Sequence, residues 1–184
     1  MSGVDHQRAL TPSPFPGDDG AASAETRMRL AAAAIEASPT AYLRAIATLC
    51  TDRLLVPVVA TATRLGATVD GLTSDKEAEM SVVMLRSADG RRALLAFSGL
   101  DSLQTWRVDA RPVPVTLDIA ARTARAEGVD AVLIDVAGPY PLAIDGEVLD
   151  ALAAGRRLVE ADDGEFGWIM PAGDVPPGDV TSAD

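Results

Sequence analysis

Asp75, Lys76, Glu77 and Glu79 form the densest group of chemically able side chains in this 184-residue chain. On a strand, Glu77 and Glu79 project to one face, two residues apart. Carboxylates so paired share protons or hold a hard cation, and Lys76, the only lysine of the protein, adds an ammonium among them. Calcium, however, needs about six or more oxygens, and no EF-hand spacing is present. A charge cluster that discourages edge-to-edge strand pairing accounts for the same residues more simply. Asp135 is the second candidate, a lone carboxylate inside the apolar run 131–137. Burial without a partner is costly, so Asp135 is expected either to meet an arginine or to sit at the wet end of its strand.

Other chemistry is excluded by supply. The single histidine, His6, lies in a Pro/Gly/Ser-rich leader, which rules out a Ser/His/Asp triad. His6 and the single cysteine, Cys50, are too few for a zinc site, and no Walker or Rossmann glycine pattern occurs. Cys50 falls at a helix end and reads as a small buried hydrophobe. No metal and no cofactor is expected. Charge points the same way: the net charge is −11, and residues 158–184 hold seven acids and no base. Residues 24–157 are nearly neutral, which leaves no basic excess to follow phosphates, so nucleic acid is not an expected partner. The longest apolar run, 54–60, is far below the roughly 20 residues that span a bilayer, and the N-terminus lacks a signal pattern. A soluble cytoplasmic protein with no membrane partner is the expectation.

The elements that must position these residues follow from pattern. Residues 1–23 are read as a disordered leader. A helix over 24–37 starts behind Ser23, and a second starts behind Ser38 with Pro39 in its first turn. Residues 53–60 form a strand that Pro57 pushes toward an edge or a bulge. Residues 61–77 have no period and read as a long loop. Residues 78–87 and 92–97 make a hairpin through Asp89-Gly90, and Ser98 with Asp101 forms a capping box for a short helix ending at Trp106. Residues 111–115 are an extended connector, and 116–127 a helix stopped by Gly128. On that helix Asp118 and Arg122 form a solvated i,i+4 pair. A buried strand over 131–137, a Gly138-Pro139 turn, a returning strand over 140–144 and an Asp145-capped helix to 154 complete the body. Residues 158–184 are read as an acidic tail. Its apolar patch, 166–170 with Trp168, either adds a strand to the body or docks on a partner.

The segments 76–106 and 132–143 resemble the SseB N-terminal domain family, named for enhanced serine sensitivity. The shared features are the Asp89-Gly90 turn, the strand end Phe97-Ser98-Gly99, the helix closing on Trp106, and the late run 133–139 with its glycine. Asp135-Val136 stands where the family has Asn-Pro, and Gly99 replaces a hydroxyl residue. The resemblance, over about 40–157, implies an α/β domain with a mixed sheet serving as a stand-alone or interaction module, and it implies no catalytic residues.

The expected fold is therefore α+β, a mixed and mostly antiparallel sheet of about five strands packed with helices. The expected function is a non-enzymatic protein-binding or regulatory module for an unidentified protein partner, with no oligomeric state implied. Its candidate contact residues are Asp75, Lys76, Glu77, Glu79, Trp106, Asp135 and Trp168. The alternative is a small-metabolite-binding domain or weak acid–base enzyme built on the 61–77 loop, with Asp75, Glu77 or Asp135 as the acid or base.

Overall fold

The computed structural model describes residues 15–61 and 79–171. In chain order these form α1 (Ala24–Glu36), α2 (Pro39–Leu49), β1 (Arg53–Thr61), β2 (Glu79–Val82), β3 (Met84–Arg86), β4 (Arg92–Ala96) and α3 (Leu100–Trp106). There follow β5 (Arg111–Thr116), α4 (Leu117–Ala126), β6 (Ala131–Ile134), β7 (Leu142–Asp145), α5 (Gly146–Ala153), β8 (Arg157–Glu160) and β9 (Phe166–Ile169). None of the described helices is long and apolar enough to cross a membrane. The first two helices begin where their hydroxyl residues dictate. Ser23 and Ser38 accept from the N–H groups of Thr26 and Ala41, each at 3.1 Å.

The architecture is α+β, as the pattern of elements predicts. Among the described residues nine strands form three sheets, β2–β1–β5, β3–β4–β6–β7 and β8–β9, in place of the expected single sheet of about five, and only the β4–β6 pair is parallel. β1 meets β4 at one point, where Leu55 and Phe97 exchange N–H···O bonds of 2.8 and 2.9 Å. Elsewhere the β2–β3 segment is wedged between them. β2 pairs with β1 and β3 with β4, so only the second half of the expected hairpin arm pairs across the Asp89-Gly90 turn. Val83 is the crossover: its N–H goes to Pro57 O, and its carbonyl accepts from Leu95 N. Gly90 turns the hairpin with φ +91°, a conformation that a side chain would resist.

Two expectations about proline need correcting. Pro57 does not place β1 at an edge; β1 has partners on both sides, and Pro57 falls where its partner changes from β2 to β4. Residues 111–116 are not a connector but a full strand. In the β1–β5 register Pro112 and Pro114 face Pro57 and Leu55, and Leu55 spends its backbone groups on Phe97. Those positions of β5 thus point their backbone outward. The two prolines remove donors only from the exposed edge, where edge strands tolerate them.

Alternation along the strands divides the core. Leu54, Val56, Leu94, Ala96, Val132 and Ile134 face one side and pack with Leu30, Ile46, Leu49, Leu149 and Leu152 of the helices. Leu55, Leu95 and Phe97 face the other side, where Leu103 and Trp106 of α3 cover them. The Phe97 and Trp106 rings lie 5.6 Å apart. Asp118 is buried, not solvated as its i,i+4 spacing with Arg122 suggests, although the pair forms at 3.1 Å. The body also continues past residue 157. β8 and β9 pair as an antiparallel ribbon, Leu158 enters the core and Phe166 packs on it.

Residues 15–23 form a strap across the start of α3. Asp18 carries it, through hydrogen bonds from Arg53 Nε at 2.8 Å and Nη2 at 2.9 Å. The Leu100 N–H donates to Gly20 O, and a Cβ at Gly20 (φ +82°) would lie 2.2 Å from Leu100 Cδ1. Arg53 is 6% exposed, so its charge requires this partner.

Asp18→Ala is expected to lower unfolding stability by about 3 kcal/mol, the low end for breaking a buried pair because Asp18 is partly exposed. Bonds from Arg53 hold the Asp18 carboxyl below the usual carboxylate range. Its stabilisation is then complete above about pH 4 and lost as pH falls through the lower folded value. Urea midpoints of wild type and Asp18→Asn should therefore differ most near neutrality and converge in acid; a gap independent of pH would refute the pairing. Cys50 is buried, which raises its thiol pKa. A thiol reagent should label it only as the chain unfolds, and labelling of the native protein as fast as of the denatured chain would show that this helix end is open.

Candidate functional site

β4 and β6 run parallel and end side by side, so their carboxyl ends open on one edge of the sheet. In open sheets with parallel strands, ligands gather outside such ends. Here β4 runs into Phe97-Ser98-Gly99 and α3, while β6 runs into Asp135. Asp135 ends its strand earlier than the apolar run 131–137 implies, because it adopts φ +49°. Aspartate is among the few side-chain-bearing residues that visit this region readily, and such strain accumulates where function or a tight connection demands it.

Asp135 is 7% exposed, and no arginine among the described residues pairs with it. Three donors from the α3 side satisfy it instead. Oδ1 accepts from the Ser98 N–H at 2.8 Å and from the Ser102 hydroxyl at 2.6 Å. Oδ2 accepts from the Ser98 hydroxyl at 2.5 Å. Its own N–H donates to Ala96 O, and its carbonyl accepts from the Gly138 N–H. Ser98 is therefore not the expected helix cap: Gly99 occupies the cap position, and Ser98 is turned to the carboxylate. Asp101, the other half of the expected box, pairs with Arg27 of α1 at 2.6 Å. On its other side the Ser98 carbonyl accepts from Arg53 Nη1 at 2.5 Å. Asp145 likewise stands at the start of α5 without capping it through its side chain, and pairs with Arg91 at 3.1 Å.

Above Asp135 lies a cleft of about 220 Å³ walled by α1, α3 and residues 137–140. Leu30, Pro139 and Tyr140 supply apolar surface, and the Arg27–Asp101 pair stands at its rim. The uncovered half of the second sheet face forms a shallower trough, floored by Ala93, Ala131, Leu133 and Ala143 and flanked by Arg91 and Asp145.

The candidate residues read from sequence are dispersed. Asp75, Lys76 and Glu77 lie outside the described residues, and so does the 61–77 loop of the alternative reading apart from Thr61, which ends β1. Glu79 opens β2, its backbone opposite Thr61. Trp106, half-buried, packs on Phe97 beneath α3, with the Arg107 guanidinium 5.0 Å from its ring centre. Trp168 lies on β9, away from the cleft. Of the candidates among the described residues only Asp135 lies at the cleft, and nothing in the sequence reading pairs it with Ser98 and Ser102 or sets Arg53 behind Ser98. One signal was available: an acid in an apolar strand demands donors, and hydroxyls four residues apart across a strand end and helix start can supply them.

Comparison with protein families places these elements together. The SseB protein N-terminal domain matches residues 27–163, a span that contains both motifs and ends within the β8–β9 turn. No match was found among curated proteins or among solved structures.

Asp135→Asn should keep the fold within about 1 kcal/mol, because asparagine tolerates φ above zero and still offers an acceptor. Asp135→Ala should cost about 3 kcal/mol by leaving the Ser98 N–H and hydroxyl without their partner, while the Ser102 hydroxyl keeps the Gly99 carbonyl. Equal melting temperatures for the two variants would show that the carboxylate does not hold α3 in place.

Proposed function

We propose that this chain, which belongs to the SseB protein N-terminal domain family, is a protein-recognition module that seats a short segment of a partner in the cleft over Asp135. The supporting observation is a division of roles at the cleft. Asp135 has three donors on its two oxygens and is occupied in holding α3 to the end of β6. The groups left to meet a ligand are Leu30, Pro139, Tyr140, Thr105 and the exposed Arg27–Asp101 pair, contact residues whose one carboxylate is already held by Arg27. Tyrosine and arginine are the side chains that most often anchor protein interfaces.

Size favours a chain segment over a metabolite. Pockets that enclose small molecules run to roughly 300–1,000 Å³, and this cleft is smaller and open on one side. A peptide passing through it would bury Tyr140 and Pro139 against its own side chains and place a polar group beside Arg27.

The test is quantitative capture with the full chain, followed by titration of the partner so found. Tyr140→Ala should weaken binding by about 2 kcal/mol, the loss typical of an interface anchor. Arg27→Ala should weaken it as well, and the exposed α1 variant Met28→Ala should leave it unchanged. Failure of the wild-type chain to retain a partner, or equal affinity in all three variants, would end this reading.

A further inference from the structure

The β8–β9 ribbon carries features that neither the cleft nor the core uses. Its ladder fixes which backbone groups are spent. The Ala161 N–H donates to Glu165 O, and the register pairs Val159 with Gly167 and Arg157 with Ile169. Those residues bond inward, across the ribbon. The N–H and C=O groups of Phe166 and Trp168 therefore point away from β8, and no described backbone group meets them. β8 is the protected side, since its Leu158 is buried against the helices and its Val159 is half-buried. β9 is the open side, with Trp168 36%, Ile169 46% and Met170 53% exposed.

Natural edge strands are blunted by lysine, proline, bulges or inward-pointing charge. β9, with the sequence Phe-Gly-Trp-Ile, has none of these and is protected only by its shortness, four residues. Its charge lies at the two ends of the ribbon and differs in sign. Asp162, Asp163 and Glu165 crowd the turn, and Arg156 and Arg157 stand at the open end. None of the five forms an ion pair among the described residues, whereas Glu160 between them is already paired with Arg44 at 2.7 Å.

We propose that β9 is a self-association edge whose occupant is the β9 of a second copy of this chain. Antiparallel pairing about a two-fold axis near Gly167-Trp168 joins the two ribbons into one four-stranded sheet. It gives the outward groups of Phe166 and Trp168 their partners and covers Ile169 and Met170. The same two-fold brings the acidic turn of each ribbon alongside the Arg156–Arg157 end of the other, so two arginines face three acids at each end of the contact. Such an isologous contact is self-complementary, which a ribbon with opposite charges at its two ends requires. A four-residue edge buries less than the roughly 1,200 Å² of a stable interface, so the dimer is expected to dissociate on dilution.

Sedimentation equilibrium of the full chain over a wide concentration range tests this. Wild type should show a reversible monomer–dimer equilibrium weakened by salt. The double variants Asp163→Arg/Glu165→Arg and Arg156→Glu/Arg157→Glu should each weaken association by at least about tenfold, through like charges brought together. Arg156, Asp163 and Glu165 are exposed and Arg157 is half-buried, so thermal melts would confirm that each variant remains folded. Mixed in equal amounts, the two variants should associate again as a heterodimer. A wild type that is monomeric throughout, charge variants that dimerise as wild type does, or a mixture that stays monomeric would overturn the proposal.

Discussion

A buried charge on each side of one serine holds the whole arrangement. The Arg53 guanidinium and the Asp135 carboxylate are both removed from water, and Ser98 stands between them. Its carbonyl accepts from Arg53, while its N–H and hydroxyl donate to Asp135. Asp18 closes the chain at one end and Ser102 at the other. Ions placed in a low-dielectric interior are tolerated only when each is met by opposite charge or by several donors, and here no buried side-chain polar atom among the described residues lacks a partner. The network draws together the strap 15–23, the start of β1, the end of β4, the first turn of α3 and the end of β6. Few apolar contacts could fix five segments with so little freedom of direction.

The architecture follows from where that network sits. α3 is short and has no side-chain cap, so little of its placement comes from its own stability. The Ser102–Asp135 bond and the Phe97–Trp106 contact hold it over the second face of the sheet. α1 is then tied to α3 at the surface by Arg27 and Asp101, and the space between them and the 137–140 loop is the cleft. Asp135 contributes twice, once through its carboxylate and once through a backbone turned to φ +49°, which directs the chain out of β6 and around the opening. The β8–β9 ribbon is independent of all this and is anchored from the other face by Leu158 and by the Arg44–Glu160 pair.

Local signals in the sequence were read well where one interaction decides the outcome. Ser23 and Ser38 cap their helices because a hydroxyl before an apolar-periodic stretch has an N–H three residues on. The Asp89-Gly90 turn, the stop at Gly128 and the burial of Cys50 are equally local. Misreadings arose where two partners competed for one group. Ser98 was a plausible cap until Asp135 claimed it, and Asp145 gave its carboxylate to Arg91. From sequence alone Pro112 and Pro114 suggest a connector, and Pro57 an edge or a bulge. Only the register shows that the two prolines of β5 face the free edge and that the third falls where β1 changes partner.

Residue order alone determined the class of fold, the helix starts, the turn chemistry and the two-sided burial of the central strands. These depend on period and on contacts within a few residues, and both are written along the chain. Tertiary structure alone decided which strand lies beside which, that β2–β3 wedges between β1 and β4, and that Asp135 is satisfied by serines and not by an arginine. Such outcomes join residues 33 to 45 positions apart, as in Asp135 with Ser102 and Arg53 with Ser98. At that separation any of several donors is compatible with the sequence, and only simultaneous packing of the whole sheet selects one.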